Sequence, residues 1–254
     1  MAELAEAVPA VDERLRALRR VAIVPALNEE RSIPRVIEEL RAFDPGLEIV
    51  VVSDGSTDRT ADVAEEHGAH ALRLPFNLGI GGAVQTGFRY AYENGFDVAV
   101  RVDGDGQHDA SQLDRVLRPV LAGEADIAVG SRFVGTDGYR SSRSRRVGIR
   151  ILAAVVSRLV GQRVTDTTSG FQALNRNGIE LFARDYPHDY PEVEATVMVF
   201  KHELRLVEVG VTMREREHGR SSITALRSIY YMVKVLIALF VGLFRRNIVP
   251  LGDA

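Results

Sequence analysis

The sequence predicts an α/β fold: a mostly parallel sheet with helices on both faces. Three observations predict it. Short apolar runs of strand length recur five times before residue 135. Segments of helical length separate them, with apolar residues at helical spacing. Polar, acidic and Gly-rich residues gather just after each run, at the strand ends where open parallel sheets bind ligands.

Residues 21–26 are a short apolar run and read as a buried strand. Residues 28–43 carry Ile33, Val36, Ile37 and Leu40 at helical spacing, and Pro45-Gly46 ends them. Residues 48–53 form a second strand around Ile49, Val50, Val51 and Val52. The turn at 54–58 also caps a helix over 57–67. Residues 69–74 give strand three, 79–94 helix three and 97–102 strand four. A helix over 111–121 and a strand over 126–130 follow.

After residue 135 the pattern changes. Residues 139–150 hold Arg140, Arg143, Arg145, Arg146 and Arg150 and no acid, and a helix runs on to about Val160. A short strand near 171–174, helices at 177–184 and 191–203, and a strand at 205–213 come next. Gly219-Arg220-Ser221-Ser222 leads into an apolar helix at 229–244, interrupted by Lys234.

Composition removes several functions. The chain has 254 residues, 46% hydrophobic and 26% charged, which is globular rather than disordered. A net charge of −3 gives no reason to expect nucleic acid. The absence of Cys excludes disulfides, thiolate metal sites and Cys nucleophiles. No Gly-x-Ser-x-Gly elbow supports a serine hydrolase. Residues 1–20 lack the apolar segment of a signal peptide. At 16 residues, 229–244 is shorter than the ~20 that span a bilayer. It is expected to associate with the membrane surface or with a second chain.

Asp103-Gly104-Asp105 is the sharpest chemical signal. Two carboxylates two residues apart suit one divalent cation, and hard oxygen ligands favour Mg²⁺ or Mn²⁺ bound with substrate phosphates. An isolated Asp-Gly-Asp is also an ordinary acidic turn. Its place after an apolar strand and before Gln107-His108 argues for the site. Asp54 follows the second strand, in reach of a base or ribose. Asn77-Leu78-Gly79-Ile80-Gly81-Gly82 resembles a phosphate cradle, because glycines at a helix start expose N–H donors. His108, His188, His202 and His218 lack metal-ligand spacing and read as surface or core residues.

Four motifs then occur in order: residues 24–30 (VPALNEE), 52–60 (VSDGSTDRT), 77–79 (NLG) and 103–108 (DGDGQH). Together they resemble the family 2 glycosyltransferases, which have the GT-A fold with a Rossmann-like sheet. Gly130-Ser131-Arg132-Phe133 and Asp166-Thr167-Thr168-Ser169-Gly170-Phe171 resemble the branch of dolichyl- and polyprenyl-phosphate sugar synthases. The likeness covers about residues 20–225.

The resemblance implies roles. Pro25, Leu27 and Glu29 line a nucleotide pocket, and Asp54 meets the base or ribose. Asn77, Gly79 and Gly104 belong to the same donor-binding set. Asp103 and Asp105, with Gln107, hold the metal and diphosphate. Arg132 meets the acceptor phosphate, and Arg220 closes over the donor phosphates. Two features depart from the family pattern: Ser53 stands where many relatives have a second Asp, and relatives often carry two or more membrane spans.

The implied activity is inverting, metal-dependent transfer of a sugar from GDP-mannose or a UDP-sugar. A polyprenyl phosphate acceptor is already ionised and needs no strong base. A saccharide acceptor needs one, with Asp166 or Glu194 as candidates. A non-catalytic nucleotide-sugar-binding subunit is the third reading, against which the two carboxylates count. The expected organisation is an extension at 1–20, a transferase domain at 21–225 and an apolar helix and tail at 226–254. The expected location is the cytoplasmic face of the membrane, peripherally bound.

Overall fold

The computed structural model describes residues 17–135, 143–188, 191–214, 234, 235 and 237. Among these, seven strands form one sheet: β1 Arg20–Ala26, β2 Glu48–Ser53, β3 His70–Arg73, β4 Val98–Arg101, β5 Ile127–Ser131, β6 Gln172–Asn175 and β7 Leu206–Gly210. Their order is β3-β2-β1-β4-β6-β5-β7. The helices are α1 Ile33–Phe43, α2 Thr60–Glu66, α3 Gly79–Glu93, α4 Leu113–Leu121, α5 Arg143–Val160, α6 Arg176–Arg184 and α7 Pro191–Lys201.

Every residue of β1 is buried, as expected of a central strand covered on both faces. Its side chains alternate. Ala22, Val24 and Ala26 join α1 and α4 in one core, while Val21 and Ile23 join α3, α6 and α7 in the other. Helix α1 seals the first core with Ile33, Val36, Ile37 and Leu40, all buried. Each such side chain stabilises by about 1.5–3 kcal/mol. A smaller third cluster joins Leu152 and Val156 of α5 to Val193 and Val197 of α7 and to Val235.

The α/β class holds, with one strand reversed. β6 pairs antiparallel with both β4 and β5, so β5 runs in the direction of β4. A four-residue strand such as Gln-Ala-Leu-Asn carries no directional information, so the reversal is invisible locally. Two helices start later than expected. α1 begins at Ile33 with Pro34 in its first turn, and Asn28 takes a left-handed φ of 55° that breaks any helix there. α2 begins at Thr60, and the Thr57 N–H donates to Asn28 Oδ1 in the loop before it. Apart from residues 234, 235 and 237, the apolar segment 229–244 lies outside the described residues. Among the described residues no helix is long and apolar enough to cross a membrane.

Candidate active site

The loops after β1, β2, β4 and β5 open on one edge of the sheet because those strands share a direction, and the reversal of β6 adds the loop before it. The first three are laced together by side chains bonded to backbone. Asn28 N–H donates to Ser56 Oγ at 3.1 Å, and Glu29 N–H to Thr60 Oγ1 at 2.9 Å. Ser32 Oγ donates to Glu29 Oε2 at 2.8 Å and lies 2.7 Å from Gly104 O. Pro25 is buried in β1, and its carbonyl accepts from Gly104 N–H at 3.2 Å.

Asp54 is buried at the end of β2. Its Oδ1 accepts from Leu78 N–H at 2.7 Å, tying β2 to the Asn77–Gly79 turn. Asn77 Oδ1 caps Gly79 N–H at 2.8 Å, where α3 begins. Leu27, Phe76 and Leu78 stand exposed on the loops, and Ile80 in the first turn of α3.

The Asp-Gly-Asp turn follows β4. Asp103 N–H donates to His108 Nδ1 at 2.9 Å, so that nitrogen is the acceptor and the proton of a neutral ring sits on Nε2. His108 stacks on Phe171 and is buried. Burial pushes its pKa below the usual 6.5, against a weaker opposing pull from Asp103. Asp105 Oδ1 accepts from Gln107 N–H at 3.0 Å, and the Gln107 amide nitrogen lies 3.4 Å from Arg214 O.

Asp103 has a second neighbour. Arg101 is fully buried on β4, with Nη2 3.3 Å from Asp103 Oδ1 and 2.8 Å from Glu192 Oε1 on α7. Its Nη1 donates to the Tyr186 hydroxyl at 3.1 Å. Burial alone would lower the Arg101 pKa, but Asp103, Tyr186 and Glu192 outweigh it and raise the value further.

On the far side Arg132, beyond β5, meets Asp166 in a buried fork. Nε reaches Oδ2 and Nη2 reaches Oδ1, both at 2.7 Å, and Arg132 N–H adds a third bond at 3.1 Å. Glu208 on β7 accepts from Thr165 N–H and Asp166 N–H, each at 2.8 Å, and holds that loop in place. Gly170, in the same loop, packs on the Asp103 side. A Cβ there would lie 2.7 Å from Arg101 Nη2 and 3.0 Å from Asp103 Oδ1. A single loop therefore braces Arg132 at one end and closes over Asp103 at the other.

Asp103, Asp105 and Gln107 offer oxygen donors only, which suits a hard divalent cation. Among the described residues no cluster of three or more His, Asp or Glu side chains makes a complete metal cage. Remaining ligands would come from water or substrate phosphate, as is usual for Mg²⁺.

The family model "Glycosyl transferase family 2" matches residues 21–182. The chain belongs to glycosyltransferase family 2. An undecaprenyl-phosphate mannosyltransferase from Micrococcus luteus is 33% identical over 82% of this chain and 88% of the relative. A polyprenol monophosphomannose synthase from Mycolicibacterium smegmatis is 32% identical over 81% of each chain. The likeness to the polyprenyl-phosphate sugar synthases thus extends across the sheet. Glucosyl-3-phosphoglycerate synthase from Mycobacterium tuberculosis, solved with Mn²⁺, uridine diphosphate and glucosyl-3-phosphoglycerate, superposes with a TM-score of 0.73. That match is 22% identical and covers 94% of this chain and 84% of the other; it establishes the GT-A fold. This family 2 chain is a glycosyltransferase.

Within the family 2 framework, Leu27, Glu29, Asp54, Asn77 and Gly104 fall on loops at the ligand edge, Pro25 lies near the end of β1 and Gly79 opens α3, and Asp103, Asp105 and Gln107 share one turn. Arg220 lies outside the described residues, as do the side chains of Arg140, Arg143, Arg145 and Arg146. Asp166, a candidate base for a saccharide acceptor, forms a buried fork with Arg132. Sequence reasoning missed Arg101, Glu192 and Glu208. A charge inside an apolar strand run was the available signal for Arg101, because a buried charge needs a partner. Glu192 had none, since acids are ordinary in a first helical turn.

Proposed function

We propose that this glycosyltransferase transfers a sugar from GDP-mannose or a UDP-sugar to a polyprenyl phosphate, with inversion. The observation that carries the reading is the loop at 165–171, which packs on Asp103 of the Asp-Gly-Asp turn at one end and braces a buried guanidinium at the other. The carboxylates suit the diphosphate end of a donor with its cation, and the guanidinium suits an acceptor phosphate. The relatives are named an undecaprenyl-phosphate mannosyltransferase and a polyprenol monophosphomannose synthase, which supports the same acceptor class here.

In the reaction, an acceptor phosphate oxygen bonds to C1 of the sugar as the C1–O bond to the nucleoside diphosphate breaks. The acceptor is ionised near neutral pH, so no strong base is required. Asp103, Asp105 and Gln107 would hold Mg²⁺ or Mn²⁺, which supplies charge stabilisation to the leaving diphosphate. Pro25, Leu27, Glu29 and Asp54 would line the nucleotide pocket, with Asn77, Gly79 and Gly104 shaping it. Asp166 would orient Arg132, and Arg220 would close over the donor phosphates. Residues 21–225 form the transferase domain in this reading. The tail at 226–254 would seat residues 229–244 on the cytoplasmic membrane surface or on a second copy.

The test is product analysis with polyprenyl phosphate, each donor and Mg²⁺ or Mn²⁺. Labelled sugar should enter an organic-extractable lipid, and Asp103→Ala or Asp105→Ala should abolish most of it with the fold kept. Label found only in an aqueous saccharide, or full turnover by either variant, overturns the reading.

A further inference from the structure

Arg101 Nη2 serves two carboxylates at once. Glu192 Oε1 holds it at 2.8 Å and Asp103 Oδ1 lies at 3.3 Å, so the tighter contact goes to Glu192. The pair is sealed. The Arg101 side chain is 1% exposed, and Gly170 covers Nη2 so closely that a Cβ would overlap it. Asp103, by contrast, keeps 32% of its side chain exposed at the ligand edge. Glu192 stands in the first turn of α7, where the helix N-terminus favours a negative charge.

We propose that Glu192 sets the charge of the donor site: by neutralising Arg101 it leaves Asp103 its negative charge for a divalent cation. The inference rests on the reading of Asp103 and Asp105 as cation and diphosphate residues. Without Glu192, the buried guanidinium turns to Asp103 and cancels one carboxylate of the pair. Glu192 acts through Arg101 and touches no substrate; it is a positioning residue.

Calorimetric titration of Mn²⁺ into the full chain, with saturating UDP or GDP, tests this. Glu192→Gln should weaken Mn²⁺ on the order of tenfold, because one charge near the site is lost in a poorly screened environment. Tyr186→Phe removes a bond to the same guanidinium but no charge, and should stay within about twofold of the parent. Wild-type Mn²⁺ affinity in Glu192→Gln, or an equal loss in Tyr186→Phe, overturns the inference. Should Glu192→Gln fail to fold, Glu192→Asp carries the test. It keeps the charge on a shorter stem and should bind within about threefold of the parent. A tenfold loss in that folded variant overturns the charge argument. If the parent chain binds no Mn²⁺ with either nucleotide, the reading of the Asp-Gly-Asp turn itself fails and this inference with it.

Discussion

The two halves of the ligand edge are built by different means. Around β1, β2 and the start of α3, side-chain oxygens bond backbone N–H groups: Ser56 to Asn28, Thr60 to Glu29, Asp54 to Leu78. Across β4, β6, β5 and β7, the work is done by buried and part-buried charges: Arg101 with Glu192, Arg132 with Asp166, and Glu208 on the Thr165–Asp166 backbone. The first design shapes loops by many small contributions of about 0.5–1.5 kcal/mol each. The second holds fixed charges in place without solvent, at the risk that losing one partner strands the other. A half that shapes a pocket tolerates piecemeal loss; a half that presents charge does not.

The largest expected effect breaks the charged half. Asp166→Ala leaves Arg132 buried at 8% exposure without the carboxylate that braces it. It should cost about 3–5 kcal/mol of stability in denaturant unfolding. Replacing both members, Arg132→Met with Asp166→Leu, should recover much of that loss. A loss below about 1 kcal/mol in the single variant, the range of exposed ion pairs, would erase the contrast between the halves.

A smaller effect probes the laced half where its loops meet. Gly55 sits at φ 65°, and a Cβ there would lie 2.5 Å from Asn77 N and 2.6 Å from Phe76 C. Both contacts are backbone and cannot swing away. Gly55→Ala should cost about 1–3 kcal/mol by overpacking and weaken nucleotide binding by shifting the Asn77–Gly79 turn. Unchanged melting and unchanged nucleotide affinity would show that the loops move freely past one another.

The smallest effect sharpens the comparison through pH. Asp126, just before β5, accepts from the Arg205 guanidinium at 3.1 Å and 3.2 Å, from Arg205 N–H at 2.9 Å and from Asn175 Nδ2 at 2.8 Å. Burial pushes its pKa up, but these bonds outweigh burial and hold it below 3.8. The unfolded chain therefore binds the proton more readily than the folded one. Its stabilisation is complete above about pH 5 and is lost as pH falls through the folded value. Asp126→Asn should flatten the acid limb of the stability profile; an unchanged slope would assign acid sensitivity to other groups.

Much of this molecule is written locally. The helical spacing of Ile33, Val36, Ile37 and Leu40 marks the buried face of α1, and the apolar run at 21–26 marks a strand buried on both sides. Side-chain period and turn chemistry are properties of neighbouring residues, so they survive in one dimension. The Asp-Gly-Asp turn and the loops after β1 and β2 were legible for the same reason, and their order along the chain carried the family resemblance. Tertiary structure alone decided three things: the reversal of β6, the bracing of Arg132 by Asp166, and the sharing of Arg101 between Asp103 and Glu192. Strand direction depends on which neighbours a short run meets, and Gln172–Asn175 carries no mark of that choice. Arg101 and Glu192 are 91 positions apart, and a lone charge in a sequence does not name its partner. Only the packing of α7 against the sheet brings that partner within reach, because a buried guanidinium must be paired wherever the chain can supply a carboxylate.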